Sequence, residues 1–242
     1  MARRSNSNPD EYQPHVGATR QYMRDIILGV NDGLVSTFLL VSGVVGGGLT
    51  TTQVLLTGIS GALAGMISMA IGEYLATKSQ DEVFTAELEL EAEHLIHHRQ
   101  REKDQLADML ADMGLEGDDL ATVVDIINSN DTAMLNMQGA LEFGIVDSER
   151  RSPIAAAFTS GFLFLTGALP SIVPFAVLDS TNTALIAAAV LSGIGLFIVG
   201  ALKTVSTKKN PIYSGAENLG MGLVGGVLAY FVGALFDSAI TS

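Results

Sequence analysis

The feature that most constrains this sequence is the uneven placement of its charges. Residues 79–149 hold 18 of the 26 acidic residues but only three of the 13 basic residues. The other 171 residues are nearly neutral and strongly apolar, so the mean hydropathy is positive despite a net charge of -13. About a quarter of the residues in an ordinary soluble domain are charged, against 16% here. The pattern therefore predicts a membrane protein that carries one acidic soluble insert.

Composition also excludes several classes of protein. A nucleic-acid-binding protein would need a basic face, and this chain is acidic overall. A secreted domain held by disulfides is excluded because the chain has no cysteine. Residues 1–20 are polar and lack the short apolar core of a signal peptide, so we expect a loose cytoplasmic tail there.

Five apolar stretches are long enough to cross a bilayer, which needs about 20 apolar residues per helix. They predict an all-α membrane protein with five transmembrane helices and a helical insert between spans two and three. Pro170 and Pro174 should bend or break the third span near its outer end. The predicted spans are residues 24–46, 54–77, 152–178, 180–202 and 218–236. The predicted domains are the tail (1–20), helices one and two (21–78), the insert (79–150) and helices three to five (151–242).

The basic residues predict the orientation of these spans, because cytoplasmic loops carry an excess of Lys and Arg. With the N-terminus in the cytoplasm, all 13 basic residues fall on the cytoplasmic side. The opposite loops, 46–53 and 178–182, contain none. We therefore expect a cytoplasmic insert and a C-terminus outside. The composition favours the plasma membrane of a prokaryote.

The insert is predicted to be a small helical bundle whose first helix continues from span two, because no Gly or Pro interrupts residues 74–101. Five metal-capable side chains would then lie on one stripe of that helix. The alternative is a solvated polar face, which runs of charge usually form. The stripe consists of Glu87, Glu91, His94, His98 and Glu102.

Three residues near the end of the insert could complete a metal site. Met134, Gln138 and Glu142 repeat every four residues and would share one face of the last insert helix. For Met134 the alternative is packing in the core of the bundle.

Three carboxylates, Asp25, Asp32 and Glu73, fall within the predicted spans, and Asp32 and Glu73 are the more informative two. A carboxylate in a membrane helix is costly and usually functional. Asp32 lies in span one, and Glu73 lies near the cytoplasmic end of span two, four residues after Met69. The alternative for each carboxylate is a position at the wet interface. A thioether beside carboxylates favours a first-row transition metal over calcium or magnesium, and carboxylates must lose protons to bind it.

The sequences around these residues resemble the vacuolar iron transporter family. Residues 24–37 (RDIILGVNDGLVST) are similar to its first-span signature, and residues 68–74 (SMAIGEY) to its second-span signature. Both motifs are long and specific. The five-span layout, the acidic insert and the Gly-rich last span match as well, so the resemblance covers residues 20–238.

The resemblance implies export of ferrous iron, and often manganese, from the cytoplasm in exchange for protons. It implies a homodimer with the metal path near the subunit interface. Asp32 and Met69 would line that path, with Glu73 near its cytoplasmic mouth.

The resemblance also implies that the insert gathers metal ions with pairs of side chains three or four residues apart. Three of the six corresponding positions depart from the family's pattern of glutamates and one methionine: His94, Gln105 and Gln138. Glu87, His98 or Met134 could compensate for the weaker glutamine ligands. The positions are Glu91 and His94, Glu102 and Gln105, and Gln138 and Glu142.

The sequence thus predicts a proton-coupled exporter of divalent iron rather than an enzyme, with manganese or zinc as further candidate ions. Its expected partners are metal ions, protons, the lipid bilayer and a second copy of the chain, and no nucleic acid. Three alternatives stay open. Glu91-x-x-His94 has the spacing found in di-iron bundles, so the insert could be a membrane-tethered ferroxidase. The insert could instead be a metal sensor, or the spans could carry another solute.

Overall fold

The computed structural model describes residues 19–144, 150–205 and 210–241. Within these ranges the chain forms eight α-helices and no strand. The predicted tail, residues 1–20, lies outside the described residues except for its last two. The helices are α1 (Thr19–Gly46), α2 (Thr51–His97), α3 (Arg99–Asp112), α4 (Gly117–Asn128), α5 (Asp131–Glu142), α6 (Pro153–Val177), α7 (Thr181–Leu202) and α8 (Pro211–Thr241), with a 3-10 turn at Lys203–Val205.

Five of these helices, α1, α2, α6, α7 and α8, are long and apolar enough to cross a membrane. This confirms the predicted all-α membrane protein with five spans. The last helix begins at Pro211, earlier than the predicted span, because the Asn210 side chain caps it by accepting a hydrogen bond from the Ile212 amide at 2.9 Å.

The chain divides into two compact units. The described residues of Met1–Ala70 and Thr159–Ser242 form the first, called the membrane unit here. Ile71–Phe158 form the second, called the insert unit here.

Close contacts between helices hold the membrane unit together. A Cβ atom on Gly33 of α1 would overlap the main-chain carbonyl of Phe164 on α6. A Cβ on Gly233 of α8 would likewise overlap the carbonyl of Gly43 on α1. Small residues let membrane helices approach this closely, and van der Waals packing then stabilises them without help from the hydrophobic effect. These glycines are therefore explained by packing.

The structure keeps α6 as one helix through both of its prolines. Of the two predicted effects of Pro170 and Pro174, the break is wrong, and the bend stays a prediction. Each proline removes one backbone hydrogen bond, but the neighbouring side chains Ala168, Ile172 and Phe175 are buried in the membrane unit. This packing holds the helical path, and the Leu178 amide still donates to the Pro174 carbonyl at 3.0 Å.

The insert unit contains the second half of α2, which continues from the apolar segment without interruption, as predicted. The helix ends at His97, however, and His98 (φ -134°, ψ 29°) starts a reversal into α3. Glu102 therefore lies on α3, and the predicted single stripe from Glu87 to Glu102 is wrong.

Apolar burial explains this reversal, which no Gly or Pro marks in the sequence. Leu95 on α2 packs in one core with Leu106 and Leu110 of α3. A straight helix would leave these side chains in water, at a cost of about 2 kcal/mol for each large apolar group. Arg99 fixes the start of α3, since its guanidinium donates to the Asn128 side chain at 3.0 Å and to Asp131 at 2.7 Å.

Candidate metal centre and membrane carboxylates

The insert unit brings together three side chains that can bind a metal. Glu91 and His94 come from α2, and Glu102 comes from α3. One ligand atom from each lies within 4.8 Å of the others. His94 Nδ1 is 3.8 Å from Glu91 Oε2 and 3.5 Å from Glu102 Oε1. We call these three side chains the insert cluster.

Local structure explains how these groups meet. Glu91 and His94 are three residues apart on α2 and therefore project from the same face. The reversal at His98 then carries α3 back so that Glu102, in the first turn of α3, faces them. Both glutamates are almost fully buried, with Glu91 4% and Glu102 3% exposed. Two buried carboxylates are energetically unfavourable unless a positive charge accompanies them.

The electrostatics of the insert cluster reflect this burial. The pKa of Glu91 is raised from 4.5 to about 7, most of all by burial and next by the charge and hydrogen bond of Glu102. The charge of Glu142 adds a smaller contribution in the same direction. A carboxyl group with a raised pKa takes up a proton when no cation is present. The cluster can therefore hold either a proton or a cation.

Gln138 of α5 holds one of these carboxylates in place. It is fully buried, and its Nε2 donates to Glu102 Oε2 at 3.0 Å. Gln138 Oε1 and Glu91 Oε1 are both buried, and neither has a hydrogen-bond partner among the described residues. Buried polar atoms without a partner are rare and call for an explanation, such as an ion. Gln138 is not one of the three cluster residues, so its buried Oε1 is a separate observation that favours a cation at this place.

The other predicted insert residues differ in how far their side chains are buried. Met134 is fully buried in the hydrophobic core of the insert with Leu106. Glu142 is exposed, yet close enough to Glu91 to affect its pKa. His98 is exposed, and its ring lies 6.2 Å from the His94 ring, edge to face. Glu87 and Gln105 are half-buried.

A second candidate site lies in the membrane unit. Asp32 of α1 and Met69 of α2 line one cavity of about 460 Å³. Its wall also includes three hydroxyl groups, those of Ser36, Thr37 and Ser68. The cavity thus combines a carboxylate, a thioether and hydroxyl oxygens within otherwise apolar helices. Such a set of oxygen and sulfur atoms suits a first-row transition metal.

The residue before Asp32 has a different role. Asn31 Oδ1 accepts a hydrogen bond from Asn218 Nδ2 of α8 at 2.8 Å. The same Asn218 amide donates to the carbonyl of Leu196 on α7 at 2.8 Å. The hydrogen bond between Asn31 and Asn218 fixes the rotation of α1 about its axis next to Asp32. It thereby helps to keep Asp32 at the cavity. Asn31 and Asn218 are not among the residues predicted from the sequence, although two amides within apolar spans are themselves a signal of a polar contact.

Glu73 belongs to the insert unit and lies in an ion pair. Arg151 Nη1 is 3.8 Å from Glu73 Oε1, and both side chains are largely buried. In the sequence, Arg151 served only as one of the basic residues that predict the orientation of the spans. A basic pair directly before a span could have indicated a partner for Glu73, since charges at such a depth are usually paired.

Comparisons with known proteins agree on the family. The VIT family matches residues 23–234. The chain is similar to vacuolar iron transporter 1 of Arabidopsis thaliana, with 30% identity over 210 residues, covering 87% of this chain and 84% of that protein. It is also similar to vacuolar iron transporter 1 of Tulipa gesneriana (30% identity; 90% and 88% covered) and to the vacuolar iron transporter of Toxoplasma gondii (27% identity; 96% and 80% covered). These matches span both the apolar helices and the insert, so the chain belongs to the VIT family.

Proposed function

We propose that this protein transports divalent iron out of the cytoplasm in exchange for protons. Membership of the VIT family and the names of the relatives support iron as the cargo. The observation that carries the proposal is the cavity of the membrane unit, which Asp32 and Met69 line together with three residues that carry hydroxyl groups. Manganese and zinc are further candidate ions, because the same ligands suit them.

The chemistry of the cavity accounts for exchange. A carboxylate binds a metal only after it has lost its proton, so metal and protons compete for Asp32. Protons arriving from the far side release the metal, and loss of those protons to the cytoplasm resets the site. The Met69 thioether disfavours magnesium and calcium, which bind oxygen ligands.

The insert cluster collects the metal in this proposal. Glu91, His94 and Glu102 supply two carboxylates and an imidazole. Gln138 orients Glu102 through its amide and can offer its free oxygen as a further ligand. Glu142 and His98 lie nearby and extend the acidic and imidazole surface. Glu87 and Met134 remain candidates from the sequence.

The proposed orientation has the insert in the cytoplasm and the C-terminus outside, and the distribution of the basic residues supports it. The proposal places the protein in a prokaryotic plasma membrane, as a homodimer with the path near the subunit interface. The absence of cysteine offers a direct test. Met113→Cys in the insert should react with a membrane-impermeant thiol reagent only from the cytoplasmic side, and Asp179→Cys only from outside. The opposite pattern would refute the orientation.

The first experiment is ferrous iron flux into inside-out proteoliposomes, with luminal pH recorded at the same time. Wild-type protein should move iron inward and protons outward together. Asp32→Asn should abolish both fluxes while leaving metal binding by the insert intact. Asp179→Asn is the matched control, because Asp179 is exposed in the loop after α6. Normal coupled flux in Asp32→Asn would refute the assignment.

The insert cluster also supports a second candidate function, a membrane-tethered ferroxidase or a metal sensor. Its three ligands include one Glu-x-x-His pair, from Glu91 and His94. A di-iron site would require further ligands. Oxygen consumption on addition of ferrous iron, without flux, would favour the oxidase. Tight binding with neither flux nor oxygen consumption would favour the sensor.

A further inference from the structure

Two consecutive arginines at the end of the insert form ion pairs with the long helix α2. Arg151 Nη1 lies 3.8 Å from Glu73 Oε1, and Arg150 Nη1 lies 3.4 Å from Asp81 Oδ1. All four residues belong to the insert unit. The same kind of ion pair, an arginine with a carboxylate, therefore forms at two places along α2.

The two pairs differ in burial. The side chains of Arg151 and Glu73 are 18% and 25% exposed, whereas those of Arg150 and Asp81 are 31% and 44% exposed. Water and salt therefore screen the attraction between Arg151 and Glu73 less than the attraction between Arg150 and Asp81.

The start of α6 defines the position of Arg151. Ser152 caps this helix, since its hydroxyl accepts from the Ala155 amide at 3.4 Å and its carbonyl from the Ala156 amide at 3.0 Å. Arg151 directly precedes this cap. Its guanidinium is thus presented to Glu73 from a backbone position that the helix start determines.

We propose that Arg151 is a positioning residue that occupies the Glu73 carboxylate between transport events and yields it to an arriving divalent metal ion. The inference rests on the proposed function, in which Glu73 lies near the cytoplasmic mouth of the path. The contact of 3.8 Å is looser than a close charge-assisted hydrogen bond of about 2.8 Å. A transition-metal ion carries two charges and binds a carboxylate oxygen at about 2.1 Å.

The consequence is a limit on how tightly the mouth holds metal. Without Arg151, the partly buried Glu73 carboxylate would lack this positive charge, and it would bind and retain the metal ion more strongly. Arg151 lowers that affinity and provides a replacement charge when the metal leaves. With Arg151 present, the mouth should bind metal more weakly and turn over faster than without Arg151. A merely structural contact would not produce both effects.

The test is a comparison of KM and kcat for ferrous iron flux in proteoliposomes at low ionic strength. Arg151→Gln should lower KM by about two- to fivefold, the range expected for a partly exposed ion pair, and should lower kcat as well. Arg151→Lys, which keeps the charge, should restore both values towards wild type. Arg150→Gln is the matched control and should leave both near wild type.

A double mutant separates this inference from a folding effect. In a Glu73→Gln background the partner is absent, so adding Arg151→Gln should change KM no further. Equal shifts in both backgrounds, or equal effects of Arg150→Gln and Arg151→Gln, would overturn the inference. If Glu73→Gln leaves the flux at the wild-type level, the inference would also be overturned, but the proposed transport function would stand. Absence of wild-type flux would overturn both.

Discussion

Replacing Glu102 with glutamine should stabilise the metal-free insert and at the same time weaken its metal binding. Glutamine has nearly the same shape, and its carbonyl oxygen can still accept the hydrogen bond that Gln138 donates at 3.0 Å. The substitution removes one of two buried negative charges. Its effects on stability and on binding should therefore have opposite signs.

The structure provides the size of the stability effect. The ligand atoms of Glu91 and Glu102 lie within 4.8 Å of each other. Two full charges at that distance repel by roughly 3 kcal/mol at an effective dielectric constant of about 20. Protonation of Glu91, whose pKa is about 7, relieves part of this repulsion near neutral pH. We therefore expect a stabilisation of about 1–3 kcal/mol above pH 7.

The loss of metal affinity should be larger in relative terms. Removing a group that merely orients a ligand already weakens a metal site by about 10- to 100-fold. Loss of a charged ligand should weaken binding of ferrous or manganous ions by at least about 100-fold. Calorimetric titration of the full-length protein in detergent, without oxygen, measures this affinity.

Hydrogen–deuterium exchange on peptides from α3 measures the stability of the metal-free insert in the same preparation. Glu93→Gln is the matched control, because Glu93 is exposed on α2 and undergoes the same chemical change. It should alter neither exchange nor affinity by more than about twofold, as expected for a surface substitution. Faster exchange in metal-free Glu102→Gln, or affinity within threefold of wild type, would refute the reasoning.

Three further predictions concern the insert unit and the cavity. In metal-free protein, protection of the insert from hydrogen–deuterium exchange should fall as pH rises from about 4.5 to about 7. The reason is that the folded state holds a proton on Glu91 that the unfolded chain releases in this range. Protection that rises over this range would contradict the argument from the buried carboxylates. Leu106→Ala should destabilise the insert by about 2–5 kcal/mol, since Leu106 is fully buried in its core; exchange in α3 and α4 measures this, and unchanged protection would rule out that core. Met69→Leu should preserve protein yield but reduce the preference for ferrous iron over magnesium in flux competition; an unchanged preference would exclude the thioether as a ligand.

The insert shows where sequence reasoning succeeded and where it failed. Glu91 and His94 could be recognised as neighbours because helix periodicity relates residues three apart. Glu102 was placed on the same helix, since nothing in its local sequence marks a break. Only the burial of Leu95 against Leu106 and Leu110 explains why the chain reverses at His98. The same three residue types thus meet across two helices instead of along one.

Local composition by itself determined the number of spans and the position of the acidic insert. Hydropathy and charge act residue by residue, so they can be read without knowing which residues touch. The match of the first- and second-span motifs likewise needed no coordinates, and the family comparison supports it.

Tertiary structure decided the partners of the charged and amide side chains. The hydrogen bond from Gln138 to Glu102, the ion pair of Glu73 with Arg151 and the bond between Asn31 and Asn218 all join residues far apart in the chain. Such pairs depend on how helices pack, and packing is a property of many side chains at once. The sequence therefore determined which charged and polar residues lie in the apolar helices and in the insert, and the fold determined which of them contact one another.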